Sequence, residues 1–172
     1  MPINRYYLSE QYDVAGENCI FISHNRKDKE AAKAIADYIL KAGIHIYFDE
    51  YDTSIDLTNP NSVVTAIKTG IRRSSHMLCL LSHNAMESKW MPWEIGFGYD
   101  KVRLVGLTTK EIAHSTLPEY LQIIPILHGT KSLNNFLDVV CNKTSIQMLN
   151  EGRYISASNI NHPLDNYLDW HL

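Results

Sequence analysis

His76-Met77-Leu78-Cys79-Leu80-Leu81-Ser82-His83-Asn84-Ala85-Met86-Glu87-Ser88-Lys89-Trp90-Met91-Pro92-Trp93-Glu94 sets an apolar strand directly against the start of a helix. Met77 to Leu81 is apolar without interruption, as in a strand covered on both faces. The spacing predicts a helix from Ser88 or Met91 to Tyr99, with Pro92 confined to its first turn because deeper placement would break the backbone ladder. Trp90 and Glu94, one helical turn apart, then share a face. An aromatic wall thus stands beside a carboxylate where a strand hands over to its helix, the place where open α/β sheets bind ligands.

The same alternation extends in both directions. Upstream, Cys19 to Ser23 reads as a first strand and Asp28 to Ala42 as a first helix, with Ala31, Ile35, Tyr38, Ile39 and Ala42 at helical spacing and Gly43 as its stop. Ile44 to Phe48 is a second strand, and Val63, Ala66, Ile67, Gly70 and Ile71 mark a second helix. Between them the polar stretch from Asp49 to Asn61, which includes Pro60, exceeds the usual strand-to-helix connection and so reads as functional. Downstream, Val102 to Leu107 is a fourth strand, Ile123 to Leu127 a fifth placed at an edge by Pro125, and Leu133, Phe136, Leu137 and Val140 a last helix. Strands alternating with helices predict an α/β domain, a parallel sheet with helices on both faces.

Composition narrows the function. The 172 residues carry a net charge of -3 and show no basic stripe, which argues against nucleic acid as a partner. The first residues lack the cationic start and apolar core of a secretory signal, and no apolar run approaches membrane-spanning length, so a cytoplasmic protein without membrane association is expected. Cys19 and Cys79 lie in apolar runs and Cys141 on a helix, with no Cys-x-x-Cys pair, so buried reduced thiols are expected and no metal. Gly96-Phe97-Gly98 falls inside a helix rather than after the first strand, so it is no dinucleotide fingerprint, and no phosphate-loop motif is present. A response regulator would want an aspartate where this chain has Ser82-His83. The acidic stretch from Asp49 has Ser54 where a calcium loop needs glycine and Pro60 where it needs glutamate.

Three pieces remain: Phe21-Ile22-Ser23-His24 ending the first strand, Ile46-Tyr47-Phe48-Asp49 ending the second, and Ser88-x-Trp90-x-x-x-Glu94 after the third. Together they resemble the Toll/interleukin-1 receptor (TIR) domain over residues 18–143, with 1–17 and 144–172 as extensions that pack on the domain or on a partner. The resemblance implies a flavodoxin-like fold with a five-stranded parallel sheet in the order 2-1-3-4-5. Many bacterial and plant members, with one animal axon-degeneration enzyme, cleave NAD⁺ at its nicotinamide bond, and the glutamate of the Trp-x-x-x-Glu pattern, here Glu94, is their catalytic residue. The bacterial NAD-consuming type is the best match, similar to the TIR proteins of Thoeris antiphage defence. It implies NAD⁺ as substrate with no cofactor, and a signalling nucleotide as product, of the cyclic ADP-ribose type or a histidine conjugate, that reaches a separate effector by diffusion. It also implies self-association through the loop 49–61 and helix faces.

The residues make chemical sense for that reaction. Breaking an N-glycosidic bond passes through an oxocarbenium-like state that one carboxylate can stabilise, and nicotinamide leaves as a neutral molecule, so no strong acid is needed. Trp90 offers a flat surface, while Phe21, Ser23 and His24 end the first strand where substrate would lie. Arg26 suits a phosphate because a guanidinium binds two oxygens at once, Asp49 orients the following loop or a hydroxyl, and Ser88 completes the motif. Each also has a plainer reading: Trp90 and Trp93 as packing residues, Glu94 as a solvated carboxylate, Ser23 as a strand end, Ser88 as a helix cap, and His24, His76 and His83 as surface or hydrogen-bonding groups. The chain departs from the family in the glycine-free stretch Tyr51 to Pro60, and in Met91-Pro92-Trp93, which implies an altered pocket shape. A non-catalytic adaptor and a nucleoside deoxyribosyltransferase-like enzyme are the competing functions.

Overall fold

A computed structural model of the chain describes residues 1–7, 17–48, 58–113 and 116–171. Five parallel strands form one sheet in the order β2-β1-β3-β4-β5, as expected. They are β1 (Cys19–Ser23), β2 (His45–Tyr47), β3 (His76–Leu81), β4 (Arg103–Thr108) and β5 (Ile126–Leu127). The connecting helices are α1 (Lys29–Lys41), α2 (Pro60–Arg72), a four-residue α3 (His83–Met86), α4 (Met91–Gly98), α5 (Thr130–Cys141) and α6 (Ser145–Asn150).

The period of two along each strand sorts the core into two layers. Ile20, Ile22, Leu78, Leu80, Val105 and Leu107 face α1 and α5, while Phe21, Tyr47, Met77, Cys79 and Leu81 face α2 and α4. Every residue of β1 and β3 is buried, the sign of strands covered on both sides. Met148, Tyr154, Leu164 and Leu168, all beyond α5, complete the first layer.

The boundaries differ from expectation where local chemistry intervenes. Pro60, expected in a loop, opens α2: Asn59 accepts from the Asn61 N–H at 3.0 Å, and proline at the first helical position needs no donor. The expected fifth strand from Ile123 shrinks to Ile126–Leu127, with Ile123 60% exposed, while the Pro125 carbonyl still accepts the Gly106 N–H at 2.9 Å. The two short helices α3 and α6 were not legible, since each is too short to show a period; both are set by hydroxyl caps, Ser82 and Thr144. Gly43, with φ of +92°, ends α1 as its position in the sequence implied.

Candidate functional site at the carboxyl ends of β1 and β3

The strand order reverses between β1 and β3, and at their carboxyl ends lies a pocket of about 360 Å³. Phe21, Ser23, His24 and Arg26 line it from β1 and the turn that follows, and Ser88, Trp90 and Glu94 from the β3-to-α4 connection. Asp49 and the bulk of the loop 49–61 lie outside the described residues. Six further residues line the pocket that the sequence reading had not marked as site residues: Tyr6, Ile22, Asn25, Val63, Ala66 and Ile67. Tyr47, quoted only as part of a strand motif, joins them.

Glu94 is held at the pocket wall by a short hydrogen bond donated from the Ser23 hydroxyl. Ser23 is 3% exposed and pairs in the sheet with Cys79. Although the Glu94 residue retains some solvent contact, protein surrounds its carboxyl, and that burial pushes the pKa up from 4.5 to about 7 while the Ser23 hydrogen bond pulls it down. The Cys79 thiol behind it is pushed well up, first by burial and then by the Glu94 charge, which makes it an inert core residue rather than a nucleophile. A carboxyl with a pKa near neutrality on the wall of a cleft makes Glu94 a candidate functional group.

Trp90 is exposed, with 36% of its surface open to solvent, and meets Trp93 edge-on, with ring centroids 6.2 Å apart. Trp93 in turn stacks on Phe97 at 5.5 Å, so the aromatic side of α4 is a ladder that steadies Trp90 at the pocket rim. Ser88 stands two residues before Trp90, the N-cap of α4, and its hydroxyl accepts the N–H groups of Trp90 and Met91 at 3.2 and 3.3 Å, so it ties down the turn that leads into the helix rather than capping it. The Glu94 N–H bonds the Trp90 carbonyl at 2.9 Å, which is the one-turn relation the spacing implied.

Across the pocket a polar lattice ties the β1 turn to α3. Asp28 accepts from the Ser82 hydroxyl and from the Asn84 amide at 2.6 Å, and Asn25 donates to the Asn84 carbonyl at 3.0 Å. This lattice fixes the turn Arg26–Asp28 and so the place of Arg26 at the rim. His24 packs against Phe48 with centroids 5.0 Å apart. No sequence period announces such a lattice, because its members come from two separate turns.

Known proteins share this architecture. The family described as TIR domain matches residues 20–137, more than half of the chain. The chain belongs to the TIR domain family. The NAD(+) hydrolase TcpC of Escherichia coli O6:H1 is 29% identical to it over 76 residues, 44% of this chain and 24% of that protein. The match therefore spans about a quarter of that relative's length. The crystal structure of the TIR domain of a Toll-related receptor from Hydra magnipapillata superposes with a TM-score of 0.50 at 14% identity, covering 62% of this chain and 82% of that one, a likeness of fold. Among the described residues of this TIR domain, no helix is long and apolar enough to cross a membrane.

Proposed function

We propose that this TIR domain cleaves the bond between nicotinamide and ribose in NAD⁺. The observation that carries the reading is Glu94: a carboxyl with a pKa near neutrality, bonded to Ser23, on the wall of a pocket rimmed by Trp90. The likeness to the NAD(+) hydrolase TcpC of E. coli supports it. In the reaction the C–N bond breaks with its electron pair leaving on the nicotinamide nitrogen, whose ring loses its positive charge. The anomeric carbon becomes electron-poor, and ionised Glu94 beside it lowers the energy of that state. Water, an adenine nitrogen of the same molecule or a histidine nitrogen then bonds to the carbon and gives up a proton. Arg26 at the rim takes the diphosphate, and Trp90 lies along the nicotinamide ribose.

On this reading the product is a signalling nucleotide of the cyclic ADP-ribose or histidine-conjugate type, made in the cytoplasm during antiphage defence and carried by diffusion to an effector. The same reading includes self-association through the loop 49–61 and helix faces, and a dry pocket would favour internal capture over hydrolysis. The test is to incubate the purified protein with NAD⁺ or with deoxyribonucleosides and to resolve base and nucleotide products by liquid chromatography and mass spectrometry. Nicotinamide release from NAD⁺ with deoxyribonucleosides untouched is expected; base release from the deoxyribonucleosides alone would contradict the proposal.

A further inference from the structure

Residues 3–6 precede the stretch matched by the family, yet one of them, Tyr6, lines the pocket. Asn4 makes a parallel bridge to Ile46, whose N–H donates to the Ile3 carbonyl at 3.2 Å, so the segment adds itself to the free edge of β2. The Asn4 side chain doubles the attachment: its amide donates to the Phe48 carbonyl at 2.7 Å and its oxygen accepts the Phe48 N–H at 3.1 Å. Arg5, only 4% exposed, donates to the Arg73 carbonyl at 3.3 Å. Segments that merely trail from a domain lack such anchoring on both sides.

What this anchoring delivers is Tyr6. Its ring meets Tyr47 edge-on at 5.7 Å, and Tyr47 lies 6.0 Å from Phe21, so three aromatic rings in a row wall the β2 side of the pocket. Val63 and Ile67 of α2 line the same apolar side. Glu94, Ser23 and Trp90 belong to the β1 and β3 side.

We infer that Tyr6 is a substrate-contacting residue that closes an aromatic slot for the flat base released by cleavage. The inference rests on the proposed NAD⁺ cleavage. The attacked carbon sits at Glu94 and the base is bonded directly to it, so the base projects from Glu94 into an adjoining wall. The polar wall belongs to the diphosphate and Arg26, which leaves the aromatic one. A volume of about 360 Å³ lies at the low end for ligand pockets and suits one nucleoside half rather than a whole dinucleotide. Neutral nicotinamide, a flat ring with one amide, fits such a slot.

The experiment compares nicotinamide and ADP-ribose as inhibitors of the wild type, Tyr6→Ala and Tyr6→Phe. Tyr6→Ala should raise the nicotinamide inhibition constant roughly tenfold, the scale of losing one base-contacting aromatic, with the ADP-ribose constant within about twofold and Tyr6→Phe close to wild type. An unchanged nicotinamide constant would overturn the inference, and so would a parallel rise in both constants with a fallen Tm, since that is the mark of a packing role. If the wild type releases no nicotinamide from NAD⁺, the proposed function fails on its own. Saturation-transfer NMR with nicotinamide then decides the slot: a signal in wild type and Tyr6→Phe that is lost in Tyr6→Ala upholds it, and no signal in the wild type removes it.

Discussion

Ser23 and Glu94 form one chemical unit, and its acid–base behaviour follows from two opposed effects. Burial favours the protonated carboxyl, while the donated hydroxyl favours the charged form. In the proposed mechanism the charged form does the chemistry, so kcat/KM for NAD⁺ should rise with pH through about 7. Ser23→Ala removes the group that lowers the pKa, so that acidic limb should move to higher pH, which a pH–rate profile reads directly; a limb that stays in place would separate Ser23 from the carboxyl. Linkage fixes the sign for stability. Between the ordinary value of 4.5 and about 7 the folded protein keeps a proton that the unfolded chain gives up, so this group's contribution falls as pH rises through that window. Glu94→Gln should therefore be more stable than wild type above pH 7, by about 1–3 kcal/mol, with the difference shrinking towards pH 4. Urea titrations at the two pH values check it. Trp90 and Glu94 were legible in the sequence as a pair because one helical turn separates them; Ser23 was legible as a site candidate at the end of β1, but its hydrogen bond to the carboxyl was not, since the two residues lie on separate elements.

At the scale of elements, α2 comes close enough to the sheet to shape the pocket, and Gly70 permits it. A Cβ there would stand 2.6 Å from the Phe21 ring and 2.8 Å from the Tyr47 ring, both of which line the site. Gly70→Ala should destabilise the fold by about 1–3 kcal/mol through overpacking and should raise KM by displacing the aromatic row. Thermal unfolding together with steady-state kinetics tests both; a loss of stability with unaltered KM would detach the row from substrate binding. The main strands and helices were legible because continuous apolar runs and helical periods are long there. For residues 3–6 only packing on the domain or on a partner was legible, not its place, since they pair with β2 some forty residues away and sequence spacing carries no trace of that contact.

Across the whole molecule, the sheet separates one core layer from another that carries the candidate site. Leu164 and Leu168, fully or almost fully buried, pack in the layer of α1 and α5, on the sheet face opposite Glu94. Leu164→Ala should lower stability by about 2–5 kcal/mol while leaving KM for NAD⁺ unchanged, measured by denaturant midpoint and kinetics; a shifted KM would mean the two layers are coupled. The fold class and strand order could be read in advance because they follow from alternation alone, whereas the chain beyond α5 has few regular elements and its place in the core is fixed by contacts such as Thr130 N–H to the Asp169 carbonyl at 2.8 Å. The account depends on one charged oxygen pair at Glu94. Nicotinamide release from NAD⁺, measured for the wild type and for Glu94→Gln with matched circular dichroism, tests it most directly: release by the wild type and a loss of at least about a hundredfold in the variant are predicted, and a folded Glu94→Gln that keeps full activity would contradict it.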